Sequence, residues 1–142
     1  MKIGIGNDHA AYSLKLDLVS YLTELGHEVV DFGHHGRDRV DYPVFGKRVA
    51  VAVINGEVER GVLLCGSGVG ISIAANRVQG ARCVCCSEPY SAKVSRAHNN
   101  SNLLAMGSRV VGPGLARLIV KEWLDTPFEG GRHDRRVSML DA

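Results

Sequence analysis

The chain has 142 residues, 45% of them hydrophobic and 23% charged, and a formal net charge of +2. That length suits one domain with its own core, expected over residues 1–142. The near-balanced charge argues against a nucleic acid or an acidic membrane surface as partner, and no apolar run is long enough to span a bilayer.

In chain order, Lys2 to Gly6 reads as a strand. The opening Met1-Lys2-Ile3-Gly4-Ile5-Gly6 lacks the features of a secretion signal, so a cytoplasmic location is the expectation. Ala11 to Leu25 reads as a helix, apolar at Leu14, Leu18, Val19, Leu22 and Leu25, with Gly26 as a left-handed cap. His27 to Phe32 is a second strand, followed by a polar loop through Asp41-Tyr42-Pro43 and a helix from Val44 to Asn55. A strand from Gly61 runs into Cys65, and a helix follows from Val69 to Val78. Ala81 to Cys86 is a fourth strand, Pro89 to His98 a helix, and Leu103 to Met106 a fifth strand. Pro113 to Leu124 is amphipathic and helical, and the tail ends in a short helix, Arg132 to Leu140. Repeated β-α units with short connections predict an α/β fold: three layers, α/β/α, around a five-stranded parallel Rossmann-like sheet.

Such sheets bind ligands at the carboxyl ends of their strands. The richest of those ends is Cys65-Gly66-Ser67-Gly68-Val69-Gly70. Alternating glycines let backbone N–H groups crowd an anionic oxygen, and a helix start adds partial positive charge. The spacing matches neither the dinucleotide fingerprint nor a P-loop. Cys83, Cys85 and Cys86 lie in a run expected to be a buried strand of free thiols, because neighbouring strand residues face opposite ways and no zinc spacing is present. His34 and His35 read as solvated loop residues, and no metal site is expected. Arg132-His133-Asp134-Arg135-Arg136 reads, on composition, as a solvated face.

Several stretches together resemble the ribose-5-phosphate isomerase B family, which also contains the galactose-6-phosphate isomerase subunits. They are Asn7 to Ala11, Asp41 to Pro43, Cys65 to Asn76, Cys86 to Ala92, Arg96 to Asn100, Gly107 to Gly112 and Glu129 to Val137. The resemblance implies a cofactor-free and metal-free aldose–ketose isomerase acting on a small sugar phosphate. It implies a homodimer or dimer of dimers with active sites shared between subunits. It makes Cys65 the base at C2, His98 the ring-opening acid–base group, and Ser67 a hydroxyl donor where many relatives carry Thr. Gly66, Ser67, Gly68, Val69 and Gly70 become the oxyanion loop. Arg132, Arg136, Arg109 and His9 become the phosphate grip. Asp8 and Asn99 match positions that bond sugar hydroxyls, and Tyr42 lines the pocket. The implied reaction is ribose 5-phosphate to ribulose 5-phosphate. The alternatives are a six-carbon aldose phosphate (allose or galactose 6-phosphate) or a phosphosugar-binding module without turnover.

Overall fold

From Ile3 to Gly6 every residue is apolar or glycine, so the first strand has no polar face to offer solvent and is built for the middle of a sheet. In the computed structural model, which describes Met1 to Ala142, that strand is β1 (Lys2–Asn7). It pairs in parallel with β2 (Glu28–Asp31) on one side and β3 (Arg60–Cys65) on the other. Beyond β3 lie β5 (Leu103–Gly107) and then β4 (Cys83–Cys85), giving the order β2-β1-β3-β5-β4. The chain lays β2 to one side of β1 and β3 to the other. That reversal opens a crevice at the carboxyl ends of β1 and β3.

The helices are α1 (Tyr12–Glu24), α2 (Tyr42–Ile54), α3 (Val69–Asn76), α4 (Pro89–Asn99), α5 (Pro113–Asp125) and α6 (Arg132–Asp141). Leu14, Leu18 and Leu22 of α1, Ala92 of α4 and Ile119, Val120 and Trp123 of α5 cover one face of the sheet. Phe45, Val49 and Ala50 of α2 with Ile71 and Ala75 of α3 cover the other. The result is the expected three-layer α/β/α arrangement. No helix is long and apolar enough to cross a membrane.

Element ends differ from expectation where a side chain takes over from the backbone. A 3-10 turn, His9–Ala11, precedes α1 because the Asp8 carboxylate caps it by accepting from the Ala10 amide at 3.0 Å. Helix α2 starts at Tyr42, two residues early, since Pro43 suits a first turn. The buried stripe of α1 contains Lys15 instead of Val19 and Leu25. Its ammonium reaches Asp31 Oδ2 at 2.9 Å and the His34 carbonyl at 3.0 Å, which satisfies the charge while its stem lies along the core.

The expected buried strand Ala81 to Cys86 is corrected: β4 is three residues long and forms an edge, with Cys85 exposed and Cys83 and Cys86 half-buried. A continuous apolar run says nothing about whether a neighbour lies beyond it.

A polar cluster pins the turn after α4. Trp123 Nε1 donates to Ser101 Oγ at 2.8 Å, Ser95 Oγ lies 2.8 Å from the same oxygen, and the Arg96 guanidinium donates to the Ser101 carbonyl. Ser101→Ala leaves the buried indole N–H without an acceptor, so it should cost about 1–3 kcal/mol. Urea denaturation checks this, and a variant as stable as the parent would contradict it.

Candidate active site

Cys65 ends β3 and enters a loop that lies against the end of β5. A Cβ on Gly107 would stand 2.5 Å from the Ser67 carbonyl carbon, and one on Gly68 would stand 2.7 Å from that of Met106. Gly68 also has φ +80°, so only glycine meets both demands there. Two backbone bonds clamp the approach: Ser108 N to Cys65 O at 2.8 Å and Arg109 N to Gly66 O at 3.0 Å.

The clamp turns the Gly68 amide onto the Cys65 sulfur at 3.2 Å, where Cys65 is 5% exposed. Ser67 is exposed, and its Oγ accepts from the Val69 amide at 3.2 Å. Within the expected oxyanion loop, Gly66 through Gly70, the amides of Gly68 and Val69 thus already have partners. The amides of Gly66, Ser67, Gly70 and Ile71 have no acceptor in the chain. They are the orphan donors of a loop and helix start that lie at the carboxyl edge of the sheet.

Neighbouring loops bring other expected residues to this edge. The Arg109 guanidinium lies over Gly66, where a Cβ would come within 3.0 Å of its nitrogen. The Tyr42 ring covers Gly70, 2.5 Å from where a Cβ would sit. Asp8 is buried, its amide bonded to Leu64 O at 3.1 Å. His9 Nδ1 accepts from the Val40 amide at 3.1 Å, and Ser108 Oγ donates to Ala10 O at 2.9 Å, tying the β1 and β5 loops together.

The remaining expected residues lie elsewhere. All five strands are parallel, so α4 begins at the carboxyl edge and runs back to the amino edge, where Asn100 in the left-handed region turns the chain into β5. His98 and Asn99 sit at that far end, roughly 15 Å or more from Cys65 given the rise of a strand of this length. Helix α6 joins them there, since the Glu129 amide bonds Ala97 O at 3.0 Å. Arg132 and Arg136 are exposed on it and make no ion pair within the chain. A cleft of 460 Å³ opens beside Asn99, with Arg82, Cys83 and Ser101 in its wall. One chain thus holds two half-sets at opposite edges of its sheet.

Two residues that received no role from the sequence stand out. His133, expected on a solvated face, is buried and stacked on His98, ring centroids 4.3 Å apart and planes 14° from parallel. Glu129 lies 3.6 Å from His133 Nε2 and 3.9 Å from His98 Nε2. The i,i+4 pair Glu129 and His133, followed four on by the apolar Val137, was the available signal. His34 and His35 do not converge, as His34 pairs with Asp38 at 2.9 Å and His35 is 71% exposed. Burial raises the thiols of Cys83, Cys85 and Cys86, the last to about 11, so all three are held as neutral thiols near pH 7.

The chain matches the ribose/galactose isomerase family over residues 3–140. It is 54% identical to ribose-5-phosphate isomerase B of Escherichia coli (strain K12), over 99% of this chain and 95% of that one. Its fold matches that of ribose-5-phosphate isomerase B from Clostridium thermocellum with TM-score 0.98 and 53% identity, covering 99% and 95% of the two chains. A ribose 5-phosphate isomerase from Thermotoga maritima matches with TM-score 0.96 and 46% identity, covering 99% and 97%.

Burial, then Arg132, then His98 hold the His133 imidazole below its ordinary value of 6.5. As pH falls through about 6.5 the unfolded chain takes up this proton first, so the folded state loses stability on the acid side. His133→Phe should remove that component. Its urea midpoint should drop less than that of the parent between about pH 7.5 and about pH 5.5, and an equal drop would count against the assignment.

Proposed function

The chain belongs to the ribose/galactose isomerase family, and from that membership we propose that it interconverts ribose 5-phosphate and ribulose 5-phosphate through an enediolate, with Cys65 as the base. The observation that carries this reading is the Cys65 sulfur, held 3.2 Å from the Gly68 amide in a loop whose Gly66, Ser67 and Gly70 amides have no acceptor in the chain.

Each step has its residues. His98 protonates the ring oxygen and opens the sugar. The Cys65 thiolate takes the proton from C2 and, as the thiol, returns it to C1; the reverse reaction exchanges the two carbons. Loss of the C2 proton leaves O1 negative, and the O2 hydroxyl proton passes to O1 before C1 is protonated, so the C2=O2 bond forms while charge is shared along the O1 and O2 side of the enediolate. The amides of Gly66, Ser67 and Gly70, with the Ser67 hydroxyl, are preorganised to receive it, and one such donor contributes about 10²–10³ in rate. His9 and Arg109 hold the phosphate with Arg132 and Arg136, whose planar guanidinium groups match its oxygens. That grip uses binding energy remote from the reacting carbons to place C1 and C2. Asp8 and Asn99 bond sugar hydroxyls, and Tyr42 closes the side of the pocket over Gly70.

His98, Asn99, Arg132 and Arg136 belong to the amino edge of their own chain, so a complete site takes them from a second copy. A two-fold pair builds two equivalent sites by the same contact, as a homodimer or as the unit of a dimer of dimers. The outward side of α3 supports such a contact: Val69 and Ile73, 51% and 58% exposed, border the glycine loop. Met139 and Leu140 do the same on α6, 69% and 62% exposed. A cytoplasmic location, which suits sugar-phosphate chemistry, belongs to the same proposal.

Complementation tests the shared site. Cys65→Ala and His98→Asn homodimers should each lose about 10³-fold in turnover of ribose 5-phosphate. Refolded together in equal amounts, half the dimers are mixed and each mixed dimer has one intact site, so about a quarter of parental activity should return. Recovery of nothing would refute a site built from two chains. Deuterium incorporation at C2 that persists in Cys65→Ala would refute the thiolate base.

A further inference from the structure

The isomerase reading uses His98 but leaves its surroundings without a purpose. His98 is half-exposed, with 38% of its side chain accessible, while His133 beneath it has 5%. His133 Nε2 is fully buried and has no hydrogen-bond partner. Both Nε2 atoms face one carboxylate, that of Glu129, at 3.9 Å and 3.6 Å. The backbone is shaped to make this happen. Gly130 and Gly131 have φ of +68° and +59°, so the chain reverses directly after Glu129, and the His133 amide bonds Gly130 O at 3.1 Å as α6 begins. Two successive left-handed residues are costly for any other side chain.

The three groups bring their ligand atoms within 4.8 Å of one another, but the geometry is that of a proton pair and not of a metal centre. Stacked rings 14° from parallel keep their nitrogen lone pairs in two nearly parallel planes, whereas a tetrahedral ion needs them to converge on one point. Two imidazoles stacked at 4.3 Å over one carboxylate accommodate one positive charge readily and two only at high cost. The buried ring is the worse place for it.

We propose that Glu129 and His133 are positioning residues for His98 in ring opening: the His133 ring is the flat support on which the His98 imidazole lies, and the Glu129 carboxylate is the counter-charge opposite His98 while it carries a proton. In that step the C1–O4 bond breaks and its electron pair passes to O4, which takes the proton from the His98 imidazolium. The C1=O1 bond forms as the O1 hydroxyl gives its proton to the vacated imidazole nitrogen, so no net proton is consumed. Ribulose 5-phosphate cannot form this ring, because its C5 oxygen is esterified. Its enediolate chemistry does not require the step.

This inference rests on the isomerase reading, and the two are separable by experiment. Glu129→Gln (at an exposed position) and His133→Phe are compared with the parent in two assays. The first is turnover of ribose 5-phosphate, which begins from the ring. The second is deuterium exchange from D₂O into C1 of ribulose 5-phosphate, which does not. Both variants should lose about 10- to 100-fold in the first and less than about threefold in the second. His133→Ala, which removes the flat face, should fall further than His133→Phe in the first assay alone. Parallel losses in both assays would mean a merely structural role, and undiminished ring-dependent turnover would mean no role; either overturns the proposal. Absence of exchange in the parent would instead sink the isomerase reading, and this proposal with it.

Discussion

The contact on which the rest depends is backbone against backbone: the Cys65–Gly68 loop pressed onto the end of β5. With the Cβ position of Gly107 2.5 Å from a Ser67 backbone atom, no side chain fits between them. The two clamping bonds from Ser108 and Arg109 hold the loop in place. One of its amides goes to the sulfur and one to the Ser67 hydroxyl, while those of Gly66, Ser67 and Gly70 have no acceptor in the chain. A thiol at a strand end is common, but this one is held within a frame of fixed dipoles, and fixed dipoles need no reorganisation when charge appears beside them.

The second constraint is the direction of α4. A helix that follows one parallel strand and precedes another must return to the amino edge, and it carries His98 away from Cys65 as it goes. The same connectivity that creates the crevice at β1 and β3 therefore parts Cys65 from His98 within one chain. Arg132 and Arg136, exposed and unpaired on α6, fit that division, since a cation without an internal partner is free to meet an anionic group outside its own chain.

Much of this was legible in the residues. The alternation of apolar runs with helical patterns gave every strand and helix within a few positions, and the glycine spacing marked the loop that matters. What escaped was what depends on neighbours distant in sequence. Lys15 occupies a core position because Asp31 and the His34 carbonyl wait for it, which no helical periodicity can express. The Cys83–Cys86 run looked buried because composition cannot reveal that β4 has a partner on one side only. His133 hid in a charged stretch because a stack on His98 requires the reversal at Gly130 and Gly131, and the roles of those two glycines appear only in their dihedrals. The role expected of His98 came from likeness to a family and not from its helix position.

The edges of the sheet carry one more lesson. Its outermost strands are its shortest, four residues in β2 and three in β4, against six in β1 and β3 and five in β5. So few unpaired backbone groups offer a poor template for another strand, and fibril-like growth by sheet extension has little to start from. Any contact between copies is thereby steered toward recognition through helix side chains, a mode that can stop at a defined number of copies.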